Sequence, residues 1–212
     1  MIVDLHCHTR EYSPCAGDDL RSVVAAGLTM GLDGIAVTDH DVAYPEELLR
    51  GNVGAALGRM VVLRAVEATV ETVASAPVIG HVLVFGADIG TGPWEDHRAF
   101  ARAVRARGGA LVLAHPLRYR DGAERLAELL PVQAIEVAST NVGREHSELA
   151  RRLARRLGLP MVAGSDAHQA RFVGRFATRF ERDVATSAQV AEEIRAGRVV
   201  PVEWNGIAGR WE

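Results

Sequence analysis

Short apolar runs alternate along the chain with stretches of helical period, and this alternation sets out the expected elements. Ile2 to His6 reads as a strand, followed by a helix from Asp18 to Met30 with Asp18 or Asp19 as its cap. Gly34 to Thr38 is a second strand, and Pro45 to Leu57 a helix opened by proline. The Val-rich run Met60 to Thr72 reads as one longer strand. After a turn at Ser75 to Pro77, Val78 to Phe85 returns beside it, as in a hairpin. Trp94 to Arg107 reads as a helix stopped by Gly108-Gly109, and Ala110 to Ala114 as a strand. A helix over Gly122 to Leu130 precedes a strand at Gln133 to Val137. A helix over Gly143 to Leu157, ended by Gly158, precedes a strand at Pro160 to Ala163. Ala185 to Ala196 is the last helix and Val199 to Val202 the last short strand.

Strands alternating with helices predict a parallel sheet flanked by helices, closing naturally into a barrel. The chain has 212 residues, lean for eight such units and suited to one domain spanning 1–212. Hydrophobic residues make up 48%, enough for a sizeable core, but aromatics only 5%, so Val, Leu, Ile and Ala must do most of the packing.

Charge narrows the chemistry. The net charge of -3 gives no overall attraction to nucleic acid or acidic membranes. All 24 cationic residues are Arg, a bias that a GC-rich genome accounts for. Without Lys, a Schiff base and a P-loop lysine are both excluded, and a fixed cation meeting a phosphate must be Arg. Arg151, Arg152, Arg155 and Arg156 fall on one helix and read as its solvated face. Two cysteines, Cys7 and Cys15, are too few for a disulfide scaffold. The start MIVDLHCH reads as a strand rather than a leader, and no apolar run reaches membrane-span length, so the expected location is cytoplasmic.

The eight histidines are informative by position. His6 and His8 end the first strand in DLHCHT; at period two with Asp4, all three are expected on one face. His40 follows the second strand in VTDHD, His81 opens HVLVFG and His115 ends a strand in LVLAHP. Asp166 and His168 close GSDAH, and Glu67 is the one carboxylate inside the apolar run LRAVEATV. Barrel strands converge at their C-terminal ends. Imidazoles and carboxylates gathered there would repel or stay unsatisfied without cations, and a mixed His and carboxylate set suits Zn, Mn or Fe.

The motifs DLHCHT, VTDHD, AHP and GSDAH resemble, in order, the four motifs of the PHP (polymerase and histidinol phosphatase) family, from Asp4 to His168. The tail AEEIRAGRVVPVEW is similar to the usual close of such domains. The resemblance implies a distorted (β/α)7 TIM-like barrel, two or three divalent metal ions per chain, and hydrolysis of phosphate esters. Carried over by position, it makes His6, His8 and Asp166 ligands of one ion. Glu67 would bridge to a second, completed by His81 and His115, while His40 and His168 would hold a third. The remaining ligand of that third site would come from TREYSPCAGDD. Cys15 is the nearest candidate there, a departure from the family's His or Asp; it reads equally as a small loop residue, with Asp18 as the alternative ligand. A thiolate would favour Zn.

Among the remaining polar residues, Asp4 and Asp39 read as groups that orient imidazoles, and Glu136, at a strand end, as a supporting carboxylate or an Arg partner. Cys7 reads as core, and His97 and His146 as surface residues of helices. The expected chemistry is attack on phosphorus by a hydroxide held between two ions. Arg118, in HPLRYR, is the first choice for a phosphate clamp and Arg171 the second, each weighed against a solvated loop Arg. His40 or His168 would protonate the leaving group. The expected substrate is a small phosphomonoester or nucleotide, with nucleic-acid ends an alternative. Two other classes remain: an amidohydrolase-type metallohydrolase, for which the carbamylated bridging Lys that some of these enzymes use is missing, and a metal-binding module without chemistry. A membrane partner is not expected, and the oligomeric state is not legible in the sequence.

Overall fold

A computed structural model describes residues 1–53, 59–71, 79–92, 94, 96–118, 126–127 and 129–212. The elements run β1 (Ile2–Cys7), α1 (Leu20–Thr29), β2 (Gly34–Val37), α2 (Glu46–Val53), β3 (Val61–Arg64), β4 (Val66–Glu71), β5 (Ile79–Phe85), α3 (His97–Ala106) and β6 (Ala110–Leu113). They continue with β7 (Ala134–Ala138), α4 (Arg144–Leu157), β8 (Met161–Ala163), β9 (Phe176–Phe180), α5 (Ser187–Arg195), β10 (Val199–Asn205) and β11 (Arg210–Trp211). The turn expected at 75–77 and most of the helix expected at 122–130 lie outside the described residues.

The strands form two sheets rather than a closed barrel. One has the order β11-β10-β9-β1-β2-β3, the other β4-β5-β6-β7-β8. Both are mixed: β1, β2 and β3 pair in parallel, as do β6, β7 and β8, whereas β4-β5-β6 and β1-β9-β10 are antiparallel. The run read as one long strand is divided at Ala65. Its first half pairs with β2 in one sheet and its second half with β5 in the other, the expected hairpin. Near the C-terminal ends of β1 and β2 the sheets touch through two isolated parallel bridges, Cys7 to Ala167 and His40 to Glu67. The site residues lie beside these seams.

Local chemistry sets the helix ends. Asp19 caps α1 by accepting the Ser22 N–H, Thr186 and Gln189 form a capping box at α5, and Gly158 ends α4 in the left-handed conformation. The exposed Arg152 and Arg155 of α4 reach Glu148, in keeping with a solvated helix face.

One apolar cluster takes members from both sheets and from α5, including Leu5, Leu63, Phe85, Val112, Phe180 and Ile194. A second lies under α3 and α4, and a third under α1 and α2. Cys7 is buried in the third cluster, as expected of a core residue. The location of β1 in these clusters explains one difference from the sequence pattern. Val3 and Leu5 pack into the inter-sheet cluster but Cys7 packs under α1, so the in-out alternation slips by one residue. The β1–β2 register shifts between Asp4 and Cys7, the signature of a bulge that re-aims the following side chains. Asp4 therefore does not share the histidines' face. It accepts the backbone N–H groups of His6, Ser165 and Gly174 and pins the chain rather than an imidazole. Among the described residues no helix is long and apolar enough to cross a membrane.

Candidate metal centre

Six strands deliver the parts of one cluster. His6 and His8 come from the end of β1, His40 follows β2, and Glu67 and His81 lie on β4 and β5. His115 follows β6, and Asp166 and His168 follow β8. Glu67 is at the centre and fully buried. Its Oε1 lies 2.9 Å from His81 Nδ1 and 2.8 Å from His115 Nε2. Its Oε2 lies 3.3 Å from His6 Nε2, 3.2 Å from His8 Nε2 and 3.1 Å from His40 Nδ1. Asp166 Oδ1 is 3.5 Å from His6 Nε2, 3.3 Å from His8 Nε2 and 3.5 Å from His168 Nδ1.

The far sides of two rings settle their tautomers. His6 Nδ1 is 3.0 Å from Glu136 Oε1, which can only accept from it when ionised. His8 Nδ1 is 3.3 Å from Ser13 Oγ, and that hydroxyl gives its proton to Asp39 Oδ1 at 2.7 Å. Both Nδ1 atoms are thereby donors, so each ring, when neutral, turns its Nε2 lone pair inward, where the two Nε2 atoms stand 3.1 Å apart. Asp39 itself meets Thr9 and Ser13 and reaches His8 only through Ser13.

A cation fits this arrangement. Glu67 Oε2 and Asp166 Oδ1 are buried and make no hydrogen bond, although ring nitrogens stand within 3.5 Å of each. Buried carboxylate oxygens without a donor are costly unless a positive group joins them. Three groups of ligand atoms are close enough to share an ion: His6, His8 and Glu67; His40, Glu67 and His81; His8, His40 and His168. His40 and His168 thus come together as expected, with His8 as their third member.

Electrostatics agree. Burial opposes the charge on Glu67, but His6, His115 and His8 outweigh it and hold the carboxyl well below the usual range. Asp166 is likewise held low: burial is overcome by His6 and His8. Burial also opposes charge on His6, yet Glu136, Glu67 and Asp166 raise it well above an ordinary histidine. A metal-free cluster therefore takes up protons in place of cations and releases them on binding. His40 is pushed down to about 4, chiefly by burial, and burial lowers His168 too. Both are neutral near pH 7, which suits ligands better than proton donors.

The remaining expected residues lie around this centre. Arg118 donates to Asp166 Oδ2 at 3.0 Å and is a third exposed, at the mouth. Arg171 is exposed with its guanidinium over the Phe172 ring. Cys15 is a free, exposed thiol outside the three ligand groups, and Asp18 Oδ2 is occupied by the Ala170 N–H. His146 is exposed as expected, but His97 is buried at the start of α3, because it belongs to that helix's inward face.

Two contributors were not foreseen. Asn141 Nδ2 donates to Asp166 O at 2.9 Å and Oδ2 at 2.8 Å; its place just past β7, level with the other strand ends, was the available signal. Gly164 packs so tightly on β1 that an added Cβ would sit 2.6 Å from His6 Cβ. Among the described non-glycine residues, positive φ occurs at Asp41, His115, Leu117 and Asp166, all in or beside the cluster. Such strain persists where surrounding contacts over-determine the backbone, as they do at functional sites.

This fold of two mixed sheets is similar to that of known proteins. Residues 144–199 match the family model described as PHP-associated. The fold resembles a two-domain protein of Bacteroides vulgatus containing a predicted PHP-like metal-dependent phosphoesterase, at TM-score 0.67 and 19% identity, over 95% of this chain and 64% of that one. This chain therefore spans just under two thirds of that protein. It also resembles a protein of Bifidobacterium adolescentis proposed to be a metal-dependent phosphoesterase, at TM-score 0.62 and 17% identity, over 91% of this chain and 95% of that one. A third similar structure is an amidohydrolase of Chromobacterium violaceum solved with sulfate and no metal, at TM-score 0.65 and 18% identity, over 93% of this chain and 97% of that one. No curated protein matches the chain.

Proposed function

We propose that this chain is a metal-dependent phosphoesterase acting on a small phosphomonoester or nucleotide. The observation that carries the reading is the division of Glu67 between two sets of imidazoles: Oε1 faces His81 and His115, while Oε2 faces His6, His8 and His40. A carboxylate so divided suits two ions side by side. Divalent ions of the Zn, Mn or Fe kind supply Lewis acidity and lower the pKa of water at such a centre.

The chain's own residues do the rest. His6 and His8, locked as Nδ1–H tautomers, present Nε2 lone pairs; Asp166 Oδ1 and Glu67 Oε2 supply negative charge between them. His40 and His168 complete the third ligand group, with Cys15 or Asp18 as additional candidates from their loop. Arg118, a third exposed beside Asp166, would meet phosphoryl oxygens, with Arg171 as a further cation. The location of a PHP-type domain with this composition is proposed to be the cytoplasm.

The test is hydrolysis of a generic phosphomonoester and a generic phosphodiester by one metal-loaded sample, each with a chelator control. Chelator-sensitive turnover of the monoester in excess of the diester is expected, and Asp166→Ala should abolish it without unfolding the protein. Preference for the diester would move the reading to a nuclease acting on nucleic-acid ends. With metal bound and neither ester turned over, phosphoesterase chemistry is overturned in favour of an amidohydrolase-type reaction or a non-catalytic module.

A further inference from the structure

Glu136 is fully buried in the middle of β7 and divides its two oxygens between two candidate ligands from different strands. Oε1 takes His6 Nδ1 at 3.0 Å, and Oε2 takes the backbone N–H of His115 at 2.8 Å. His6 belongs to the Glu67 Oε2 side of the cluster and His115 to the Oε1 side. One carboxylate therefore orients a ligand on each side of the bridging residue.

The two contacts do different work. At His6 the acceptor fixes the tautomer, sending the Nε2 lone pair toward Glu67 and Asp166. At His115 it holds a residue whose φ of 25° few side chains adopt, and so sets where that imidazole points. An added Cβ on Gly164 would come within 3.3 Å of Glu136 Oε1 and 2.6 Å of His6 Cβ, so β8 backs directly onto the pair.

We infer that Glu136 is a positioning residue for the metal centre, fixing the His6 tautomer and the His115 backbone together so that ligands of both ions are set by one side chain. This rests on the cluster being a metal centre, not on its substrate. A ligand's supporting carboxylate typically contributes 10–100-fold to metal affinity. A glutamine at 136 has one acceptor oxygen and an NH2 group, so it can satisfy only one of the two donors.

The experiment is metal affinity by competition with a chromophoric chelator, for the wild type, Glu136→Gln and Glu136→Asp. Histidine 15N shifts of the wild type are recorded alongside. The expectation is at least tenfold weaker binding in a Glu136→Gln that still folds without metal, and an Nδ1–H His6 in the wild type. Glu136→Asp, which keeps both acceptors but shortens the reach, should lie between. Wild-type affinity in a folded Glu136→Gln overturns the positioning role and leaves the metal centre standing. If Glu136→Gln fails to fold, the wild-type spectrum decides: a proton on His6 Nδ1 supports the role, and an Nδ1 without a proton overturns it. A wild type that binds no divalent metal overturns both the role and the reading beneath it.

Discussion

Asp41 takes two hydrogen bonds from one residue, Thr69: its Oδ1 accepts the backbone N–H at 2.6 Å and its Oδ2 the hydroxyl at 2.9 Å. Asp41 N also donates to Glu67 O. The segment carrying His40 is thus tied to the strand carrying Glu67, across the seam between sheets. Asp41→Ala removes both acceptors and keeps the unfavourable φ of 58°. We expect a loss of about 2 kcal/mol, since hydrogen bonds to charged groups contribute roughly 1.5–3 kcal/mol. For a chain of this size that is a fall of roughly 4–8 °C in melting temperature. Metal affinity should fall too, because the His40–Glu67 spacing is no longer held. Calorimetry with a chelator competition checks both, and an unchanged melting temperature would sink the argument.

Gly164 tests the other seam. An added Cβ would meet His6 Cβ at 2.6 Å and His6 N at 2.8 Å, backbone and near-backbone atoms that cannot swing aside. Gly164→Ala must therefore displace β1 or β8. Overpacking of this kind costs roughly 1–3 kcal/mol. The displacement falls on a candidate ligand, so weaker metal binding should accompany the stability loss. A variant as stable and as tightly metal-binding as the wild type would show that the strands yield freely.

How much of this was legible in the chain depends on whether the signal was local. Strand-end histidines in DLHCHT, VTDHD, AHP and GSDAH were visible because each motif carries its own strand. Glu67 stood out as a carboxylate in an apolar run. What escaped was long-range. Met60 to Thr72 shows no break, because Ala65 fits a strand as well as a seam; only pairing with β2 on one side and β5 on the other divides it. β9 was missed because FATRF lies between loop residues, and its identity comes from β1 and β10 on either side. The bulge that turns Asp4 away from His6 is a property of β1–β2 register, which no pattern within β1 records. Asn141 carries no charge and entered no motif, yet its amide holds Asp166.

The pH response of the metal-free protein should isolate His40. Burial lowers its folded value to about 4, whereas an unfolded histidine titrates near 6.5. Between these values the unfolded chain binds a proton that the folded state refuses, so this contribution to stability falls as pH drops from about 6.5 to 4. His6 and His8 are raised and run the opposite way: their contribution is complete below about 6.5 and is lost as pH rises. Urea unfolding of wild type and His40→Gln, both metal-free, separates these effects by difference. His40→Gln should lose less stability than the wild type across that window. Parallel stability curves would mean that His40 titrates as an ordinary surface histidine.

Arg118 is the case where stability and catalysis should part. Its guanidinium meets Asp166 Oδ2 at 3.0 Å, but it is a third exposed, and ion pairs open to solvent contribute little. Asp166 keeps a second donor on the same oxygen, Asn141 Nδ2 at 2.8 Å, when Arg118 is removed. Arg118→Ala should therefore change stability by no more than about 0.5 kcal/mol, as for most surface substitutions. Its effect should appear with a phosphate ester as substrate. A guanidinium that met the phosphoryl oxygens in the bound and reacting states alike would contribute uniform binding, which is read in KM. The expected result is a KM raised about tenfold or more with kcat less affected, and metal content unchanged. If KM stays at the wild-type value while metal binding weakens, Arg118 acts through Asp166 as part of the metal centre, and the phosphate contact belongs to another residue, with Arg171 the next to replace.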